Sequence, residues 1–414
     1  MVGDSDSEVR LQVASALAVL NDAEALVPLL TQLRQERDPS VRAEIARALA
    51  PIRDIRAVPT LLELLADPSD DAAAAAALAL REMGSQIAAD PELRRRVAAA
   101  LIAAFESRTS GGPSGMKTFP LREALLRAMI PLKDESVAPL MRRVLSARPR
   151  ETARAREAAI EGLAEFGPRE SEPIIGQLDD DDPAVRRRAV RALPRVTTFG
   201  DVSERLRRRL DPATEPDGSI RNEAWNALSV LINDATAQQL APWVDRFADE
   251  PERQRFILLR LALLAEQIGD QDELAARRQQ IGDSYLRLRL PGDAAEYYEQ
   301  ALEYSIRSRA PTLVLLTRSE ATLDALLGAR QYDRAAALAG RMIALNPGEF
   351  VTSMGGKIAL EADRLTRAGE YDSAQRLIER ARAIDPPLPD RIIDRLRETE
   401  QDIQRFRSEP RPNR

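Results

Sequence analysis

Apolar residues recur along this chain at helical spacing, and each run opens on the same short phrase. Asp38-Pro39-Ser40-Val41-Arg42 precedes Ile45, Ala48 and Leu49, and Asp182-Pro183-Ala184-Val185-Arg186 precedes Ala189, Ala192 and Leu193. Asp6-Ser7-Glu8-Val9-Arg10 and Asp217-Gly218-Ser219-Ile220-Arg221 are variants, and Leu121-Arg122 and Ala155-Arg156 are plainer copies. Asp caps free backbone N–H groups, and Pro suits a first turn that has no use for its missing N–H. The apolar stripe that follows lies on one helix face. A small column (Ala16, Ala48, Ala128, Gly162, Ala192, Ala227) lets neighbouring helices approach closely. The pattern predicts a stack of like helical units.

Aligned on the Arg column, the helices start around positions 10, 42, 71 (an Asp), 122, 156, 186, 221 and 255. Second helices are announced by Pro28, Pro59, Pro139, Pro173 and Pro242 at equivalent places. Over residues 4–268 this order resembles HEAT repeats in the short form of bilin-lyase-type proteins. The long interval after position 71 predicts an inserted loop over 107–118, because Gly111-Gly112-Pro113-Ser114-Gly115 cannot continue a helix. A second phrase then takes over. Tyr332-Asp333-Arg334-Ala335 runs to Asn346-Pro347, Gly369-Glu370-Tyr371-Asp372 runs to Asp385-Pro386, and Gly292-Asp293-Ala294-Ala295 opens a third copy. These resemble the second helices of tetratricopeptide repeats, over 269–387. A capping helix is expected at 388–407 and a disordered tail at 408–414. The resemblances imply an all-α, right-handed α-solenoid, with one array running into the other without a flexible linker.

Composition narrows the chemistry. The chain has neither Cys nor His, which removes Ser-His-Asp and Cys-His catalysis and the usual zinc and haem sites. A net charge of −6 gives no overall pull toward nucleic acid or an anionic membrane. No run of about 18 apolar residues offers a membrane span. The chain as written reads as cytoplasmic. The first unit begins with no capping helix ahead of it, which points to a longer parent chain, with a periplasmic or envelope location if a signal segment precedes it.

Most candidate sites have a plain structural reading. Gly111–Thr118 departs from G-x-x-x-x-G-K-[ST] in spacing and follows no strand, and Gly355-Gly356-Lys357 fails the same test and reads as a helix opening. Asp179-Asp180-Asp181-Asp182 lacks the alternating ligands of a calcium loop. The arginine runs 94–96, 186–188 and 205–209 would suit a phosphate stripe, as in HEAT-like DNA glycosylases, but acidic residues are interleaved with them. Trp225 aligns with core positions.

The tetratricopeptide resemblance places Thr317, Glu320, Asp324 and Leu327, with Gly356, Ala359, Asp363 and Thr366, on a concave groove. Asp324 and Asp363 share one repeat position and would lie side by side. The expected function is a non-enzymatic, monomeric scaffold or adaptor without cofactor. Its expected partner is another protein presenting a basic or neutral extended segment, and not nucleic acid. The alternative is a lyase-type or glycosylase-like enzyme or accessory.

Overall fold

The computed structural model describes residues 4–20, 23–108, 115–147 and 150–408. Among them are 23 α-helices and no strand, and the chain is an all-α solenoid built from helix pairs. It divides into two compact units, Met1–Asp234 and Ala235–Arg414.

In the first unit the Arg-column helices are Ser7–Leu20, Pro39–Ile52, Asp70–Glu82, Gly115–Met129, Ala153–Ala164, Pro183–Val196 and Gly218–Ile232, each packed on the next. Their starts are set by side-chain caps. Asp38 accepts from the Ser40 and Val41 N–H groups, Asp182 from Ala184, and Asp217 from Ser219. The small column marks close approach: a Cβ at Gly162 would run into Met141 of the preceding second helix, Ala138–Ser146. Ala48, Ala128, Ala192 and Ala227 are buried. Ala16 is exposed. The third unit carries an extra short helix, Gly84–Ala89, seated against Pro131 before its second helix, Pro91–Ser107. The expected loop at 107–118 is shorter than its sequence suggested, because the next helix begins at Gly115. Residues 109–114 lie outside the described residues, as do 409–414 of the expected tail.

In the second unit Ala237–Arg246, Pro251–Ile268, Gln271–Arg287, Pro291–Arg307, Thr312–Gly328, Tyr332–Leu345, Pro347–Arg367 and Tyr371–Arg382 pack in chain order. Five of their junctions share one cap. The N–H of Asp270, Leu290, Ala310, Gln331 and Glu370 donates to the carbonyl five residues back. The residue before each is left-handed: Gly269, Arg289, Arg309, Arg330 and Gly369. This is the Schellman arrangement, which satisfies orphan carbonyls at the helix end. One core runs from Ala294 to Ile403. The terminal helix Asp390–Ser408 contributes Leu396 and Ile403 to it and packs on Pro347–Arg367 and Tyr371–Arg382.

Candidate partner-binding cleft

Thr312–Gly328 and Pro347–Arg367 pack side by side and form the walls of a cleft of about 460 Å³. Asp324, Leu327 and Gly328 line one side, and Lys357, Leu360, Glu361 and Arg364 the other. The eight residues expected at the groove divide. Thr317 and Asp324 are exposed, while Glu320, Gly356 and Asp363 are half-buried. Leu327, Ala359 and Thr366 are buried at 5%, 1% and 4% exposure, so Ala359 and Thr366 serve packing rather than contact. Thr366 spends its hydroxyl on the Ala362 carbonyl.

Facing residues are offset by 33 positions across the two helices. The Ser353 hydroxyl donates to Glu320, and Lys357 Nζ to Asp324 Oδ2 at 2.6 Å. The repeat register equates Asp324 with Asp363, 39 residues on, and so overlooks Lys357. Gly355-Gly356-Lys357 does not open a helix, as expected, but lies in the middle of the 21-residue Pro347–Arg367 helix. Pro347 starts that helix, and Gly355 marks a close approach, since a Cβ there would stand 2.6 Å from Ile392 of the terminal helix.

Asp363 is occupied from the terminal helix. It accepts from Arg395 at 3.2 Å and from the Thr399 hydroxyl at 3.0 Å, and Arg367 pairs with it at 3.2 Å. Asp324 instead keeps 55% of its side chain exposed with the Lys357 ion pair. Leu360, 55% exposed, is an apolar contact that sequence reasoning missed. The signal for it was its place one turn after Lys357, on the face that carries Ser353 and Gly356.

Five arginines of the column in the first unit are paired with carboxylates. Arg10 pairs with Glu36, Arg42 with Asp67, Arg122 with Glu151, Arg156 with Asp180 and Arg186 with Glu215. Each carboxylate belongs to the turn that opens the next unit. Glu36, Asp67, Asp180 and Glu215 also accept the N–H two residues on, where the helix cap begins. The next Arg closes the rung, since Arg42, Arg156, Arg186 and Arg221 donate to the carbonyls of Glu36, Glu151, Asp180 and Glu215. Where the column holds Asp71, Arg108 enters instead and reaches Asp70 and the Asp67 carbonyl.

Three carboxyls of this ladder, Glu36, Asp67 and Glu215, have depressed pKa values. Burial pushes Glu36 up, but Arg10, the Asp38 N–H and Gln32 outweigh it and hold Glu36 at about 2. Asp217 is held at about 2 by the Ser219 hydroxyl and N–H. Burial likewise raises Asp67 and Glu215, and their arginines and backbone donors bring both below the usual range. The aspartate run is divided in the same way: Asp179 pairs with Arg209, Asp180 with Arg156, Asp181 with Arg150, and Asp182 caps. Of the arginine run, Arg187 pairs with Asp217, and Arg188 with Glu157 and Glu161. Trp225 is only partly buried, whereas Trp243, at 4% exposure, packs beside Phe247. Among the described residues no cluster of three or more acidic side chains could hold a metal ion, and no helix is long and apolar enough to cross a membrane.

Residues 1–81 match the HEAT repeats family. No curated protein matches the chain. Among solved structures it is similar to the complex of CpcE and CpcF of phycocyanin lyase from Nostoc sp. PCC7120. That match is 20% identical, covers 68% of this chain and 91% of that one, and has a TM-score of 0.37. It is also similar to importin beta, at 16% identity over 98% of this chain and 56% of that one, with a TM-score of 0.49. Yeast importin-beta aligns at 14% identity over 99% of this chain and 51% of that one, with a TM-score of 0.46. The chain therefore spans about half the length of the importin chains it matches.

Proposed function

We propose that this chain is a non-enzymatic interaction scaffold whose tetratricopeptide-like stack over 269–387 holds an extended basic or neutral segment of a partner protein. The observation that carries the reading is the cleft at Asp324. An exposed carboxylate, paired with Lys357, stands beside the exposed apolar surface of Leu360, and Arg364 in the same cleft is paired with Glu361. An incoming arginine gains a bidentate, charge-assisted contact with Asp324, while its neighbouring side chain covers Leu360. An acidic segment gains no such contact. The first unit supports the same reading over a nucleic-acid binder, because Arg10, Arg42, Arg122, Arg156 and Arg186 of its column are engaged by carboxylates rather than presented to solvent.

Asp363 is a poor probe of this proposal, since its loss also frees Arg395 and Thr399 and loosens the terminal helix. The test uses arrays of extended peptides probed with the wild-type chain and with Asp324→Lys combined with Leu360→Asp. Both sites are exposed, so the melting temperature should stay within about 2 °C of wild type, as surface substitutions commonly do. Binding to basic peptides should fall at least about tenfold, the equivalent of one charge-assisted hydrogen bond. It should also weaken with salt. Undiminished binding by the double variant would remove the cleft from the account.

A further inference from the structure

The seam where Pro251–Ile268, Gln271–Arg287 and Pro291–Arg307 meet holds two arginines and two tyrosines in one stack. Leu274, Arg278, Ile281 and Tyr285 recur at helical spacing on one face of Gln271–Arg287, and Leu274 and Ile281 are buried there. Arg278 thus takes a place on a core-facing stripe. Its guanidinium lies 5.7 Å from the centre of the Tyr297 ring. Arg255, from the helix before, stands 4.3 Å from the centre of the Tyr285 ring. The two rings stack on each other, with centroids 5.4 Å apart and planes 20° from parallel.

Among the described residues no carboxylate pairs with Arg255 or Arg278, and neither donates a hydrogen bond. The first unit, by contrast, gives a carboxylate to each of Arg10, Arg42, Arg122, Arg156 and Arg186. Both Arg255 and Arg278 are partly buried, and a cation taken partly out of water without a partner is costly. Of their nitrogens only Arg255 Nη1 and Arg278 Nε are shut off from solvent, so the other N–H groups open outward. A ring against its plane holds a guanidinium in place and leaves its N–H edge free, and that edge is the fork that grips an oxyanion. Burial and the Tyr285 hydroxyl push the Tyr297 hydroxyl up, while Arg278 and Arg255 pull it back, so both cationic charges act at that one place. An incoming base would add a third positive charge there.

We infer that this seam is an oxyanion site that takes one phosphoryl group, held by the N–H edges of Arg255 and Arg278 beside the Tyr297 hydroxyl. A phosphoryl dianion matches two unpaired guanidinium charges, where a single carboxylate would leave one of them unanswered. The site shares no residue with the cleft at Asp324 and stands or falls independently of it.

The test is calorimetric titration of the full chain with inorganic phosphate, with acetyl-Gly-phosphoserine-Gly-amide and with acetyl-Gly-Glu-Gly-amide. Both phosphoryl probes should bind at one site, and the glutamate peptide at least about tenfold more weakly, the scale of one charge-assisted hydrogen bond. Arg278→Gln and Arg255→Gln should each weaken the phosphoryl probes at least about tenfold for the same reason. Asp324→Asn should leave them unchanged, which separates this site from the cleft. Tighter binding of the phosphoserine peptide than of phosphate would assign the site to a phosphorylated segment, and the reverse order to a free phosphate ion; both orders support it. If Arg278→Gln fails to fold, Arg255→Gln decides by the same titration. No saturable binding of either phosphoryl probe at millimolar concentration, equal affinity for the glutamate peptide, or wild-type affinity in the folded arginine variants would overturn the proposal and leave Arg255 and Arg278 to their tyrosine rings alone.

Discussion

Arg156 and Gly282 perform the same task in different halves of the chain by opposite means. Arg156, 8% exposed at its side chain, ties its helix to the next unit through Asp180, 2% exposed, and to the turn before its own helix through the Glu151 carbonyl. Gly282 ties its helix to the next by being absent: a Cβ there would collide with the ring of Tyr298, whose hydroxyl donates to Asp283 at 2.6 Å. The first half is registered by charge at its turns and the second by apolar fit along its helices. A ladder of ion pairs fixes spacing but commits the charges it uses. A stack held by apolar fit leaves polar side chains on its exposed face out of the register, and Asp324 and Lys357, paired with each other, lie on such a face.

Breaking a rung should have the largest effect. Arg156→Ala leaves Asp180 buried without its guanidinium and should cost about 3–5 kcal/mol, measured by denaturant unfolding. A loss below about 1 kcal/mol would mean that the ladder is incidental. Overfilling the second half comes next. Gly282→Ala should destabilise by about 1–3 kcal/mol, in the range of overpacked cores, and the loss should appear in the transition that reports the second unit. The smallest effect has the opposite sign. Arg330 sits at φ 60° in a Schellman cap, where glycine has no Cβ to strain. Its ion pair with Glu370 is 60% and 31% exposed, so its loss costs little. Arg330→Gly should therefore stabilise by about 0.5–1 kcal/mol in thermal unfolding, the cost of a non-glycine residue in that region.

Much of the frame was legible because it is written locally. Asp38, Asp182 and Asp217 cap the helices they precede, and the small column at Ala48, Gly162 and Ala192 is buried as its spacing predicts. The Arg column was visible, but its purpose was not. Glu36, Asp67, Asp180 and Glu215 sit in turns, where acidic residues look like ordinary solvated loop, and only folding brings them to an arginine 24 to 29 residues away. The cleft was half legible. Repeat register put Asp324 and Glu320 on one helix face, and the structure sets them against Lys357 and Ser353, since adjacent helices pack with a 33-residue offset that register alone does not contain. Three of the five left-handed caps carry Arg, so they lack the glycine that marks such a turn. The cover over Asp363 was hidden as well, since the terminal helix was expected only as a cap.

Acid separates the two modes of registration within a single molecule. Glu36 and Asp217 sit at about 2 when folded, and Asp67, Glu215, Asp134, Glu165 and Glu223 are also held low. A carboxyl whose folded pKa is depressed adds stability above its unfolded value, and that stability is lost as pH falls toward the folded value. The window for the ladder therefore runs from about pH 4.5 down to about 2. In the second half Glu400 is held low by Arg382 and Gln375, while the helix contacts at Gly282 and Gly355 do not titrate. Hydrogen exchange followed by mass spectrometry, on one sample at pH 7 and at pH 3, reads both halves together. The account predicts that amides of Pro39–Ile52, Pro183–Val196 and Gly218–Ile232 lose protection at pH 3 while those of Gln271–Arg287 and Pro291–Arg307 keep most of theirs. Equal loss in both halves, or earlier loss in the second, would contradict it.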